Sequence, residues 1–122
     1  MKICVVALGK IGLPLAVQFA SKGHQVIGAD VNAKTVDLVN AGTEPFPGEA
    51  FLDEKLTDVV GRGLLTATTD TPTAVAQSEV VVVVVPLFVD EESRPDFAWM
   101  DAATEAIARG LQPGTLVSYE TT

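Results

Sequence analysis

The chain has 122 residues, 48% of them hydrophobic and only 6% aromatic, with eight basic and sixteen acidic side chains for a net charge of −8. That length suits one core and excludes two, so residues 1–122 read as a single domain. The first 42 residues carry four lysines against two aspartates and the remainder four basic against fourteen acidic groups, so there is no dense basic patch for a nucleic-acid backbone.

Residues 3–8 are a short apolar run ending at Gly9, which predicts a strand buried on both faces. Residues 13–22 follow as a helix with Leu15, Ala16, Phe19 and Ala20 on one face. Pro14 lies in its first turn and Gly23 at its stop. A second strand over 25–29 ends at Asp30, and a helix over 34–41 places Val36, Val39 and Asn40 at helical spacing before Gly42. The two-proline stretch 43–48 continues neither element. Residues 49–60 read as a helix with acidic first turns, 64–68 as a weak strand, and 71–76 as a short helix opened by Thr71-Pro72. Six consecutive valines at 80–85 predict a strong strand stopped by Pro86. Asp96 is placed to cap a helix over 97–111 with Met100, Ala103, Ile107 and Leu111 in one stripe, and Pro113-Gly114 leads into a strand over 116–120.

Strands alternating with helices, with no hairpin dipeptide, predict an α/β fold: a doubly wound, mainly parallel sheet in a Rossmann-type three-layer sandwich. The last strand ends two residues before the chain does, as in a domain cut from something longer. The single cysteine, Cys4, excludes an internal disulfide framework, fits a reducing cytoplasm and reads as a core residue of the first strand. The valine run is far below the ~20 residues a bilayer span requires, so no membrane partner is expected. His24 has no second histidine to build a metal cluster or triad with, and Asp90-Glu91-Glu92 read as solvated loop acids; no metal is expected.

The chemistry lies after the first strand, where residues 7–12 read Ala-Leu-Gly-Lys-Ile-Gly. This is the dinucleotide fingerprint G-x-G-x-x-G with alanine at its first glycine, which fits if φ at Ala7 is negative. Gly9 lets the backbone approach a pyrophosphate, Gly12 lets the helix pack on the strand, and the first-turn N–H groups, Lys10 and Ile11 among them, face the phosphates. Asp30 follows Gly9 by 21 residues, close to the ~20-residue offset of the acid that binds an adenosine ribose and repels a 2′-phosphate. The cofactor is therefore NAD rather than NADP, with Asn32 and Lys34 on its adenosine side, although Lys34 reads equally well as a solvated helix lysine. In a doubly wound sheet the segment Val85-Pro86-Leu87 and the terminal Thr121 and Thr122 come to the same rim. Hydroxyls at that rim can hold a substrate or a catalytic water, or Thr121 and Thr122 are simply good strand residues.

Three stretches resemble the N-terminal domain of the UDP-glucose/GDP-mannose dehydrogenase family: Gly9-Lys10-Ile11-Gly12-Leu13-Pro14-Leu15-Ala16, Gly28-Ala29-Asp30-Val31-Asn32 and Val39-Asn40-Ala41-Gly42. Glu44-Pro45-Phe46-Pro47-Gly48-Glu49 and Leu116-Val117-Ser118-Tyr119-Glu120-Thr121-Thr122 extend the likeness across the chain. The resemblance implies oxidation of the C6 alcohol of a UDP- or GDP-sugar to a carboxylate with two NAD. It also implies a cytoplasmic homo-oligomer, a dimer, when the chain is full length. Residues 7–12 match the phosphate turn, Asp30 the ribose carboxylate, and Val85, Pro86 and Leu87 the segment beneath the cofactor. Thr121 matches a cofactor contact and Thr122 an active-site threonine. The family usually has Thr-Pro where this chain has Leu87-Phe88, and its adenosine-side basic residue aligns with Thr35, one place after Lys34. The proline-rich wording leans toward N-acetylhexosamine nucleotides. The family's cysteine nucleophile and its lysine and aspartate partners lie in later domains, so this chain by itself is expected to bind NAD without turnover. Two alternatives stay open: the N-terminal domain of a β-hydroxyacid dehydrogenase of the 6-phosphogluconate or 3-hydroxyisobutyrate type, and a non-catalytic nucleotide-binding module.

Overall fold

In the computed structural model, which describes residues 1–9, 11–43, 45, 52–84, 88–89, 95–96 and 98–119, five strands form one sheet. They are β1 (Lys2–Val6), β2 (Gln25–Ala29), β3 (Leu65–Thr68), β4 (Val80–Val83) and β7 (Leu116–Tyr119), in the order β3-β2-β1-β4-β7, and every pairing is parallel. The helices are α1 (Gly12–Ser21), α2 (Ala33–Asn40), α3 (Leu52–Gly61), α4 (Thr71–Ala76) and α5 (Ala98–Gly110). The doubly wound α/β architecture is as the alternating pattern predicts.

Alternation along the strands divides the core in two. Ile3 and Val5 of β1, with Val26, Leu65 and Val82, face Leu13, Ala16, Val17 and Ala20 of α1 and Leu56 and Val59 of α3. Cys4 and Val6, with Val81 and Val83, face Ala74 and Val75 of α4 and Ile107 of α5. Each fully buried Val or Leu contributes about 1.5–3 kcal/mol against exposure. The α1 stripe is therefore rotated from its sequence expectation: Leu13 and Val17 are buried, and Leu15 and Phe19 only pack against the edge of the cluster. Helix α1 ends as Gly23 predicts, with φ +95 there, Gly23 N–H donating to Ala20 O (3.0 Å) and His24 N–H to Phe19 O (3.3 Å). This is a Schellman closure, and Gly42 closes α2 in the same way through Val39 and Leu38.

Three expectations are corrected. A two-stranded antiparallel sheet, β5 (Phe88–Val89) with β6 (Pro95–Asp96), stands between β4 and α5 where no hairpin is predicted. Its connection lacks the glycine or asparagine pairs that mark a tight turn. Asp96, expected as a helix cap, is thus a strand residue opposite Phe88. Leu111 is not in the α5 stripe: it follows the helix and is 47% exposed, because the helix ends at Gly110. Gly110 stands where a Cβ would collide with the Pro72 carbonyl of α4, so α4 and α5 meet closely there.

Candidate functional site

The strand order reverses beside β1, whose neighbours are β2 on one side and β4 on the other. In open α/β sheets the crevice at that switch point, outside the carboxyl ends of the strands, is where ligands bind. Ala7, Leu8 and Gly9 emerge at this place and lead directly into α1.

The turn is shaped by contacts on three sides. Ala7 N–H donates to Ala29 O at 2.7 Å, which continues the pairing of β1 with β2. Leu8 N–H donates to Asp30 Oδ2 at 2.8 Å, and Asn32 N–H to Asp30 Oδ1 at 2.9 Å. The Leu8 side chain, 1% exposed, lies over Gly28, where a Cβ would come within 2.7 Å of its methyl carbons. Across the turn a Cβ on Gly12 would collide with the Ala7 carbonyl and approach Val84 Cγ2 to 2.7 Å. Gly12 is therefore required for close packing of helix on strand. Gly9 differs: a Cβ there meets nothing within 4 Å, so its bare backbone borders open space at the mouth of the crevice.

Ala7 departs from its sequence expectation. Its φ is +79, and no other non-glycine residue described has a positive φ. The left-handed region costs an alanine about 1–2 kcal/mol relative to glycine. The conformation persists because Ala7 is held by its own N–H and packs against both halves of the core. The first glycine of the fingerprint is thus replaced in residue type while its backbone conformation is kept.

Helix α1 begins at Gly12 with Ile11 as N-cap and neither a side-chain cap nor an acidic residue in its first turn. Helices α2 and α4 are capped by the side chains of Asn32, which accepts from Lys34 N–H (3.0 Å), and Asp70, which accepts from Thr73 N–H (3.3 Å). Leu13 N–H is taken by Gly9 O (3.0 Å) and Pro14 has none, so the α1 start beside Gly9 offers the Ile11 and Gly12 N–H groups and the positive end of a helix dipole to the crevice. These residues fit a dinucleotide pyrophosphate, and the carboxylate of Asp30 stands beside the turn. Two large apolar side chains, Ile11 (67% exposed) and Val31 (81% exposed), belong to the turn and to the segment after Asp30.

Of the sequence-derived site residues, Gly9, Ile11, Gly12, Asp30 and Asn32 gather here. Lys34 lies on α2, its backbone used in the Asn32 cap and its side chain exposed. Lys10, Val85, Pro86, Leu87, Thr121 and Thr122 lie outside the described residues. Sequence reading missed that Asp30 bonds the Leu8 backbone. Its 22-residue separation from Leu8 carries no local signal, and only the side-by-side pairing of β1 with β2 exposes it. Cys4 is fully buried, and burial pushes its thiol up from 9.0 to about 12, which removes it as a nucleophile. Among the described residues no three His, Cys, Asp or Glu side chains are gathered for a metal ion, and no helix is long and apolar enough to cross a membrane.

Comparison with known proteins agrees with this geometry. The UDP-glucose/GDP-mannose dehydrogenase family, NAD binding domain, matches residues 1–122. The UDP-N-acetyl-D-mannosamine dehydrogenase of Salmonella typhimurium is 40% identical over 120 residues, covering 98% of this chain and 27% of that protein. The NDP-N-acetyl-D-galactosaminuronic acid dehydrogenase of Ralstonia nicotianae is 38% identical, with the same coverage. A ternary complex of GDP-mannose dehydrogenase from Pseudomonas aeruginosa superposes with a TM-score of 0.93 at 28% identity, over 100% of this chain and 28% of that one. The chain thus spans a little over a quarter of the length of the relatives it matches. A match along all 122 residues favours this family over the β-hydroxyacid dehydrogenases. With a parallel sheet, an open glycine turn at its switch point and a carboxylate beside it, the chain belongs to the UDP-glucose/GDP-mannose dehydrogenase family and is its NAD-binding domain.

Proposed function

We propose that this chain holds NAD for an enzyme that oxidises the C6 alcohol of a nucleotide-linked sugar to a carboxylate, using two NAD, in the cytoplasm. The observation that carries this reading is the pairing of the open Gly9 turn with the Asp30 carboxylate at the adjacent strand end. The N–H groups at the start of α1 bind the pyrophosphate, Asp30 accepts from the adenosine ribose hydroxyls, and Ile11 and Val31 are covered on binding. Lys10, Asn32, Lys34, Val85, Pro86, Leu87 and Thr121 complete the cofactor contacts, and Thr122 serves the substrate side. When bound, NAD supplies the hydride acceptor.

The proposed substrate is a UDP-N-acetylhexosamine. The names of the Salmonella and Ralstonia relatives and the Pro-Phe-Pro-Gly-Glu wording at 45–49 support it. The thiol nucleophile belongs to later domains of a longer chain that works as a homodimer, because Cys4 is sealed in the core. The test of the site is calorimetric titration of this chain with NAD and NADP. NAD is expected to bind at least about tenfold tighter, because a 2′-phosphate would face the Asp30 carboxylate. Equal or reversed preference overturns the assignment. Incubation of the purified chain with NAD and a UDP-N-acetylhexosamine is expected to yield no NADH, and turnover would refute the placement of the nucleophile.

A further inference from the structure

We propose that Asp30 is a positioning residue for the phosphate turn as well as a ribose ligand, and that it acts by clamping the Ala7–Leu8 peptide plane. The second role rests on the NAD reading above.

The Ala7 carbonyl and the Leu8 N–H belong to one planar peptide unit. On one side the N–H is held by Asp30 Oδ2 at 2.8 Å, and on the other the carbonyl lies where a Gly12 Cβ would have to be. The plane is thus pinned between the end of β2 and the start of α1. It also directly follows the strained φ of +79 at Ala7, a conformation that persists only where its surroundings over-determine it. The peptide unit before Ala7 is secured by Ala7 N–H to Ala29 O, and the unit after it by Asp30. Leu8 is 1% exposed and its N–H bond to Asp30 is part-buried, so removing the carboxylate takes away the acceptor of an N–H of a kind almost never left without one. The remaining oxygen of Asp30 accepts from Asn32 N–H at 2.9 Å, which fixes the carboxylate itself.

Asp30 thereby fixes where Gly9 and the first turn of α1 stand. A plain ribose contact predicts something different. Removing a negative charge beside a pyrophosphate site relieves repulsion, so a ligand lacking the ribose hydroxyls would bind the variant equally well or better. A clamp predicts weaker binding of that ligand.

The experiment uses this chain, its Asp30→Ala and Asp30→Asn variants, and an NAD analogue lacking both hydroxyls of the adenosine ribose. Asp30→Ala is expected to weaken the analogue by about three- to tenfold, the loss of one hydrogen bond. Asp30→Asn, which keeps one acceptor oxygen for the Leu8 N–H, is expected to recover most of that loss. Amide hydrogen exchange gives a readout that needs no ligand. Leu8 protection should fall about tenfold or more in Asp30→Ala, while the Val5 and Val82 amides at the sheet centre report that the variant stays folded. Unchanged or tighter analogue binding by Asp30→Ala, or an unchanged Leu8 amide, overturns the proposal. If the native chain fails to bind NAD, the NAD reading falls, and Leu8 exchange still decides the clamp.

Discussion

The side-chain amide of Asn40 on α2 donates to the Ala67 carbonyl at 2.9 Å and accepts from the Ala67 N–H at 2.8 Å, closing a two-bond ring on strand β3. Strand β3 is an edge of the sheet, and on its inner side the carbonyls of Leu64, just before it, and Thr68, at its end, accept from the N–H groups of Val26 and Asp30. By alternation, Ala67 turns its backbone groups outward, where they would otherwise offer a site for strand addition. Asn40 thus stands in for the missing strand at that residue. Asn40→Ala is expected to cost about 1–2 kcal/mol in urea unfolding, the net of two neutral hydrogen bonds at an exposed site. Asn40→Asp should cost no less, because a carboxylate would face the Ala67 carbonyl. An unchanged urea midpoint in both variants would sink the account.

Gly9 and Gly12 are expected to separate binding from stability. In Gly9→Ala the new methyl enters open space, so stability should stay within about 1 kcal/mol of the native chain. Its NAD affinity should nonetheless drop at least about tenfold, because the methyl would stand in the path proposed for the pyrophosphate. In Gly12→Ala the methyl meets the Ala7 carbonyl and Val84, and the loss should be about 2 kcal/mol or more in unfolding free energy. Paired thermal melts and NAD titrations check both; equal destabilisation by the two variants would contradict the open Gly9.

Cys4 gives a signed pH dependence. Burial raises its thiol from 9.0 to about 12, so between those values the unfolded chain releases the proton and the folded chain keeps it. The unfolded state then binds fewer protons, and stability falls as pH rises, by at most about 1.4 kcal/mol per unit from this group. Stability from the buried neutral thiol is fully present below pH 9 and is lost progressively toward pH 12. Cys4→Ala removes this pH-dependent contribution and also leaves a small core cavity that lowers stability at every pH, so native and variant urea midpoints should run parallel below pH 8 and converge or cross above pH 9. Curves that stay parallel to pH 10.5 would rule it out.

Much of the fold was legible because it rests on local or periodic causes. The apolar run before Gly9, the helix stops at Gly23 and Gly42, Asp30 at a strand end and the alternation of strands with helices are all properties of neighbouring residues. They suffice for a doubly wound sheet with a dinucleotide turn. Errors occurred where a second element decides the outcome. Leu13 and Val17 of α1 share one buried cluster with the sheet and α3, and the pattern along α1 alone has no knowledge of those partners. The β5–β6 pair lacks turn chemistry, so only its cross-strand pairing reveals it. Ala7 was expected at negative φ because alanine prefers it. Packing against both cores and the bond to Ala29 force the opposite sign.

By itself, then, the sequence determined the fold class, the place of the turn and the acid that follows it, since composition and spacing along the chain specify these. Tertiary structure alone decided that Asp30 reaches back 22 residues to hold the Leu8 N–H, and that Asn40 reaches 27 residues to close the edge at Ala67. Both are hydrogen bonds of side chains to distant backbone, and their partners become neighbours only after parallel strands pair.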